Sequence, residues 1–297
     1  MQINAALHTD RMCKALTGLS VQEFKELVPN FSRNYLEFEA KRKKKRIRKL
    51  GGGRGSYIET TQEKLFYILW YMKTYPTFDV ASFWVGFARG NACTWMHTLL
   101  PVLETTMKRK FVLPERKISD PEEFLRLYPE TKEVFVDGVE RLKQRPKNKK
   151  QQKKTYSGKK KAHTRKSVVV TDKNRKVLVI TKQKSGRRHD KRLADKDAVF
   201  ESIPKEVVIF ADTGFLGAQK VHQNILISKK KSRGHPLTYD EKEMNKLISS
   251  YRVLVEHAIG GIKRYRCVSE KLRNHKAYID DKFILLSAGL WNYHLSD

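Results

Sequence analysis

Two stretches of similar pattern decide the fold. Residues 133–138 have the sequence EVFVDG, and residues 207–214 have the sequence VVIFADTG. In each, a short apolar run is followed at once by an aspartate and a turn-forming glycine, which is typical of a buried strand that ends in a turn. Because functional side chains of α/β proteins gather where central strands end, the pattern predicts that Asp137 and Asp212 lie side by side. Taken alone, either aspartate is better explained as an ordinary turn residue or helix cap.

The segments around these two stretches complete a domain. Strands are predicted at residues 167–171 and 177–180, and helices at about 190–200, 238–263 and 281–293. Strands followed by mixed strands and helices are typical of an α/β domain built around a mixed sheet. We therefore expect an α/β fold class for the second half of the chain.

The first 115 residues have a helical pattern instead. Residues 20–23, with the sequence SVQE, form a capping box that begins a helix, and residues 61–75 form a second amphipathic helix. Between them lies the glycine loop 51–55. Its glycines can serve as a linker or cradle a phosphate, but no Walker lysine follows, and a linker is the preferred interpretation.

The next two predicted helices form a pair. A short helix at 78–87 and a third helix capped by Asn91 are joined by a turn. The short helix is expected to bury Val80, Phe83 and Phe87. Such a pair is typical of a helix-turn-helix DNA-binding motif, and the same pattern fits an ordinary αα-hairpin. If the motif binds DNA, we expect Asn91, Thr94 and His97 to contact base edges, because asparagine pairs with adenine and a threonine methyl contacts thymine.

The charge of the chain favours a nucleic-acid partner. The 297 residues include 62 Lys and Arg against 32 Asp and Glu, which gives a net charge of +30. Eight of the nine residues at 41–49 are basic, and residues 141–166 hold thirteen basic residues and no acidic one. A third, shorter run lies at 229–233. Such runs are either solvated faces or sites for a polyanion. We expect 141–166, with Lys159, Lys160 and Lys161, to follow a DNA backbone.

Cysteine usage and hydropathy exclude several classes of protein. Cys13, Cys93 and Cys267 are far apart and form no C-x-x-C pair, which argues against a zinc site and a disulfide framework. The sequence has no signal-peptide pattern and no apolar stretch of membrane-spanning length. We therefore expect a cytoplasmic, nucleoid-associated protein with no membrane partner.

A third acidic residue stands out on the predicted helix 238–263. Glu256 shares a helix face with Arg252 and Lys263. Arg252 and Glu256 can also be a simple surface ion pair. Carboxylates placed together repel each other unless a divalent cation lies between them, and their hard oxygen ligands suit Mg²⁺ or Mn²⁺.

In combination and in order, the motifs resemble those of a DDE transposase of a bacterial insertion sequence. The resembling segments run from about residue 16 to about residue 266 and include LTGLSVQEF, GGGRG, YMKTYPTFDV, FVDGVE, YSGKKKAHTRK, GRRHD, ADTGFLG and YRVLVEHAIGGIKRYR. Any one of them alone is a weak signal, but together they cover most of the chain.

The resemblance implies a domain plan and a set of site residues. A helix-turn-helix domain would cover residues 1–115, and an RNase H-like catalytic domain with a basic insertion at about 141–166 would cover residues 116–297. The catalytic residues, which also hold two Mg²⁺ or Mn²⁺ ions per active site, would be Asp137, Asp212 and Glu256. In the family signature Tyr-x-x-Arg-x-x-x-Glu-x-x-x-x-x-x-Lys, the residues Arg252, Glu256 and Lys263 match, and Arg252 and Lys263 would hold DNA phosphates. Position 249 is Ser where the signature has Tyr, while Tyr251 lies directly before Arg252.

The implied activity is transposition. The protein would bind the terminal inverted repeats of its own element and catalyse metal-dependent strand cleavage and 3′-OH strand transfer. Its partners would be double-stranded DNA, as transposon ends and as target, and further copies of itself in a homodimer or higher oligomer on DNA. The alternatives are a catalytically inactive or domesticated DNA-binding protein and a basic RNA-binding factor. The presence of all three carboxylates favours the enzyme.

Overall fold

The computed structural model describes residues 3–43, 56–231, 236–276 and 278–296. The chain forms two compact units. The first unit comprises Met1–Leu113, Arg264–Glu270 and Lys282–Asp297, and the second comprises Pro114–Lys263 and Lys271–Asp281. The predicted domain boundary between residues 115 and 116 remains a prediction. The glycine loop 51–55, most of the basic run 41–49 and part of the run 229–233 lie outside the described residues.

The predicted helices and strands occur in the predicted order, and further short elements that were not predicted lie among them. The helices are α1 Ile3–Ala6, α2 Asp10–Thr17, α3 Val21–Lys43, α4 Thr61–Thr74, α5 Phe78–Val85, α6 Arg89–Arg109, α7 Pro121–Leu127, α8 Lys149–Thr155, α9 Asp190–Lys196, α10 Tyr239–Lys263, α11 Arg266–Ser269 and α12 Ile279–Leu295. The strands are β1 Glu133–Leu142, β2 Tyr156–Ser157, β3 Ala162–Thr171, β4 Val177–Ile180, β5 Lys184–Ser185, β6 Val208–Ala211 and β7 Ile225–Ile227.

The N-terminal helices begin where the capping signals predict. The backbone N–H of Glu23 donates to Ser20 Oγ at 3.1 Å, and the Glu23 carboxylate accepts from the Ser20 backbone in return. This confirms the capping box at the start of α3. A second box, between Thr60 and Glu63, begins α4. That helix ends at Tyr75, which has a φ of 46° and is followed by Pro76.

The helix pair α5–α6 is present, but two predictions about it were wrong. The N-cap of α6 is Ala88, and the helix begins at Arg89, so Asn91 lies in the first turn and caps nothing. Val80 and Phe83 were expected to face inward, yet they are 55% and 91% exposed. The reason is the rotation of α5. This eight-residue helix buries Ala81 and stacks Trp84 on Trp70, with 4.1 Å between the ring centroids, which turns Phe83 outward. Phe87 is buried as predicted.

The second unit is built around a mixed sheet, which confirms the predicted α/β class. The strand order is β2-β3-β1-β6-β7, and β4 and β5 also pair with β3. The central strand β1 is antiparallel to β3 and parallel to β6, and β6 is parallel to β7. Val134, Val136, Ile209 and Ala211 are fully buried. Central strands covered on both faces have continuous apolar sequences, which is the pattern seen in β1 and β6.

The sheet differs from the sequence prediction in the length of β1. The strand does not end at Asp137 but continues through Gly138 to Leu142, because β3 pairs with it over that whole length. The strand β6 ends at Ala211, directly before Asp212, as predicted. Among the residues that the structure describes, no helix combines the length and apolar character needed to cross a bilayer.

Candidate active site

The register of β1 and β6 places two carboxylates next to each other. Val136 of β1 lies opposite Ala211 of β6 in a parallel pair, so the residues that follow, Asp137 within β1 and Asp212 just after β6, occupy neighbouring positions. Each carboxylate accepts from the next backbone N–H. Gly138 donates to Asp137 Oδ1 at 2.6 Å, and Thr213 donates to Asp212 Oδ1 at 2.7 Å. The local backbone therefore fixes the direction of both side chains.

An aromatic stack holds the helix α10 on these two strands. The ring of Tyr251 lies 4.8 Å from that of Phe210 and 6.2 Å from that of Phe135, centroid to centroid, and both pairs are stacked. Each phenylalanine lies two residues before an aspartate, and residues two apart in a strand point to the same face. The face that carries the aspartates is therefore the face that α10 covers. Tyr251 therefore positions α10 on the sheet. The family signature places its tyrosine two residues earlier, so the signature did not indicate this role for Tyr251.

Arg252 brings the three predicted carboxylates together. Its guanidinium nitrogens lie 3.4 Å from Asp212, 3.9 Å from Asp137 and 3.7 Å from Glu256. The i,i+4 pair with Glu256 exists, as the alternative interpretation supposed, but the same guanidinium also faces both strand aspartates. The triad thus converges on one shared positive charge.

Burial makes the anionic state of Asp137 costly. Desolvation raises the pKa of Asp137, and the negative charges of Asp212 and Asp190 raise it further. The Gly138 N–H and the Arg252 guanidinium act in the opposite direction. A carboxylate in this position gains from any additional cation nearby. Among the described residues, however, no three His, Cys, Asp or Glu side chains are grouped so that they could hold a metal ion as they stand.

Lys263 belongs to the same neighbourhood. Desolvation lowers the pKa of its ammonium group, and the positive charge of Lys160 adds to this effect, while Asp137 and Glu140 oppose it. The predicted phosphate-binding residues Lys263 and Lys160 therefore lie near the carboxylates. Lys159, Lys160 and Lys161 are all exposed, in the turn between β2 and β3.

A fourth acidic residue, Asp190, adjoins the cluster and was not identified from the sequence. A Cβ atom added to Gly138 would lie 3.1 Å from Asp190 Oδ1, and one added to Gly214 would lie 3.3 Å from Oδ2. Asp190 thus occupies the space that is free because Gly138 and Gly214 have no side chains. The motif GRRHD contains Asp190 and was the available signal, but sequence alone does not show which loop lies over the two strand aspartates.

A buried lysine anchors Asp190. Lys166 Nζ lies 3.3 Å from Asp190 and 3.7 Å from Glu140, and its side chain is only 8% exposed. Glu140 also accepts a hydrogen bond from Thr164 Oγ1. This network links α9 to both β1 and β3 and fixes the loop beside the carboxylates.

The predicted base-contacting residues belong to the first unit. On α6, Asn91 and Thr94 are exposed and His97 is half-buried. The Thr94 hydroxyl donates to the Gly90 carbonyl at 3.0 Å, which leaves its methyl group and the acceptor side of its oxygen to contact another molecule. The exposure of Asn91 and Thr94 is compatible with the prediction that the start of α6 contacts DNA.

Comparisons with known proteins place this geometry in context. A family model described as "DDE superfamily endonuclease" matches residues 136–292, just over half of the chain and all three carboxylates. The chain is also 28% identical, over 289 residues, to a protein of Microchaete diplosiphon with the name "Probable transposase for insertion sequence element IS702". That similarity covers 97% of this chain and 96% of the relative. No solved structure matches the chain significantly.

Proposed function

Because the chain belongs to the DDE superfamily of endonucleases, we propose that it is the transposase of an insertion sequence. In this proposal it binds the terminal inverted repeats of its own element and carries out strand cleavage and 3′-OH strand transfer. The observation that carries the proposal is the convergence of Asp137, Asp212 and Glu256 on Arg252. The full-length similarity to a probable transposase supports it.

Divalent metal use follows from the family, and the donor set fits it. Three carboxylates supply hard oxygen ligands of the kind that Mg²⁺ and Mn²⁺ prefer, and all three already face one positive charge. In our proposal Asp137, Asp212 and Glu256 hold two such ions. When bound, the ions would activate the attacking oxygen and stabilise the departing 3′ oxygen.

The chain's own cations would position the DNA. Arg252 and Lys263 lie beside the carboxylates and would hold the phosphates that flank the scissile bond. The exposed lysines 159–161 would contact the backbone further along the duplex. We also propose that the second unit is RNase H-like, that α6 reads the DNA sequence, and that the protein acts on DNA as a dimer or higher oligomer.

A cleavage assay with matched variants tests the proposal. The wild-type protein, incubated with Mg²⁺ and DNA that carries the element's ends, should give nicked and joined products on a gel. Asp137→Asn keeps the side-chain shape and removes an anionic ligand, so it should abolish both products and leave end binding intact. The control is Glu206→Gln, which makes the same change of charge at an exposed position just before β6.

Two outcomes would contradict the proposal. Full cleavage by Asp137→Asn would rule out the assigned triad. Specific binding of the ends by the wild-type protein without any cleavage in Mg²⁺ or Mn²⁺ would favour the inactive DNA-binding protein instead.

A further inference from the structure

Two adjoining cavities of the second unit form a groove that begins at the carboxylates. One cavity, of about 590 Å³, is lined by Asp212, Asp190 and Gly214 among others, and the other, of about 690 Å³, is lined by Tyr156 and His163 among others. Gly158 and Arg187 line both. We call the two together the basic groove. It leads from Asp212 to Tyr156, and the lining of the Tyr156 end includes none of the three predicted catalytic residues.

The groove is rich in cations, and most of them form no ion pair with an acidic residue in the described part of the chain. Its lining includes Arg145, Lys153, Lys159, Lys166, Arg187, Arg188 and Lys230. Lys166 is neutralised by Glu140 and Asp190. Within the described parts of the chain, neither Arg187 nor Arg188 forms an ion pair, and both are exposed. Cations clustered in this way along a concave surface attract a phosphate backbone.

An exposed aromatic ring lies at the far end of the groove. Tyr156 is 45% exposed although it is part of β2. Across the β2–β3 pair, His163 meets the tyrosine ring in an edge arrangement, with 5.7 Å between centroids and 71° between planes. A tyrosine among cations is typical of grooves that bind single strands, where bases stack on the ring and cations contact phosphates. A paired base inside a duplex has no free face to offer.

Hydrogen bonds fix the walls of this end before any ligand binds. Gln152 accepts from Arg145 at 3.2 Å and donates to the Pro146 carbonyl at 2.7 Å. Thr155 Oγ1 and His163 Nδ1 lie 3.0 Å apart and share a hydrogen bond. Preorganised walls reduce the entropy lost on binding.

From these observations we infer that the basic groove binds an unpaired DNA strand. The strand continues from the scissile phosphate beside Asp212, its phosphates contact Arg187 and Arg188, and one of its bases stacks on Tyr156. The inference rests on the proposed function, because it takes the carboxylates as the place of cleavage. It adds that the contacts of the separated strand with the groove offset part of the free-energy cost of opening the element's end.

The test compares DNA ends with and without a single-stranded extension at the cleavage site. Binding of the full-length protein is measured by fluorescence anisotropy in EDTA, with extensions on either strand. A single-stranded extension should tighten binding. Tyr156→Ala should lower the affinity of the protein for the extended DNA by roughly 5- to 150-fold, the range typical of one stacked base. The same substitution should change the affinity for blunt DNA little. Tyr156→Phe should keep the gain. The control is Tyr239→Ala, at a 77% exposed tyrosine that lines neither cavity.

A spectroscopic readout separates stacking from a folding defect. 2-Aminopurine placed along the extension should lose fluorescence at one position on binding to the wild type and keep it with Tyr156→Ala. If extensions give no gain, or if Tyr156→Ala keeps the whole gain, the inference is overturned, even when the wild type cleaves its ends. If the wild type neither prefers end DNA nor cleaves it, the proposed function fails, and the extension assay on unrelated sequences still decides whether the groove binds single strands.

Discussion

Replacing Arg252 by Gln tests whether the three carboxylates depend on a shared cation. The guanidinium lies 3.4 Å from Asp212 and 3.9 Å from Asp137, and the exposed fractions of these three side chains are only 20–30%. Glu256 is 58% exposed, so solvent screens its contact, which adds little to stability. The loss on substitution therefore comes mainly from the two strand aspartates.

The expected size of the loss follows from this intermediate burial. Removing one partner of a buried pair costs about 3–5 kcal/mol, because the remaining charge is left unpaired, while an exposed pair contributes about 0–1 kcal/mol. Two partly buried contacts lie between these limits. We expect the free energy of unfolding of the metal-free protein to fall by roughly 2 kcal/mol. For a domain of this size, that corresponds to a fall in Tm of about 4–8 °C.

Thermal unfolding followed by circular dichroism measures the effect, first in EDTA and then in Mg²⁺. A divalent cation neutralises the same carboxylates, so Mg²⁺ should reduce the difference in Tm between the variant and the wild type. The control is Arg126→Gln, which removes a 72% exposed arginine paired with Glu123 at 3.7 Å and should change Tm little in either buffer. Equal Tm values for Arg252→Gln and wild type in EDTA would refute the reasoning, as would a difference that Mg²⁺ leaves unchanged.

Three further predictions concern DNA binding and packing. Changing lysines 159–161 to Ala should weaken binding to all duplexes alike and flatten the slope of log affinity against log salt, by up to about 0.9 per lost phosphate contact; an unchanged slope would mean that the lysines do not contact phosphate. Changing Asn91, Thr94 and His97 to Ala should narrow the preference for end DNA over random DNA in competition assays, by roughly 1–3 kcal/mol for one lost base contact, and an unaltered preference would assign sequence reading elsewhere. Gly138→Ala should destabilise the protein by about 1–3 kcal/mol in urea denaturation, because the new Cβ lies 3.1 Å from Asp190, and wild-type stability would show that Asp190 moves freely.

The sequence was sufficient to predict that Asp137 and Asp212 would meet. Two continuous apolar runs require strands that are buried on both faces, and such strands are central and adjacent. Their parallel pairing then brings the next residues to one edge. Helical periodicity predicted that Glu256 and Arg252 share a helix face, while their convergence on the aspartates depends on α10 covering the sheet face on which the aspartates lie.

Other features depend on contacts that periodicity does not encode. Phe83 was expected to be buried because it is large and apolar, yet the stacking of Trp84 on Trp70 decides the rotation of a helix only eight residues long. Asp190 was not identified because its position depends on two glycines that are far apart in sequence, Gly138 in β1 and Gly214 just after β6. The stacking of Tyr251 depends on how α10 is placed along the sheet, and a two-residue shift in the motif cannot reveal that.

The order of β1, β6 and α10 along the chain has a consequence for protein synthesis. The strand β1 and the lysines of 159–161 leave the ribosome well before Glu256, the last carboxylate, which is placed only when α10 packs on the finished sheet. A nascent or prematurely ended chain can therefore carry α5, α6 and the basic turn without a complete set of carboxylates. Such fragments also lack Arg264–Glu270 and Lys282–Asp297, which complete the first unit. We therefore expect interrupted translation of the gene to yield chains that neither cut DNA nor hold α5 and α6 in a finished fold.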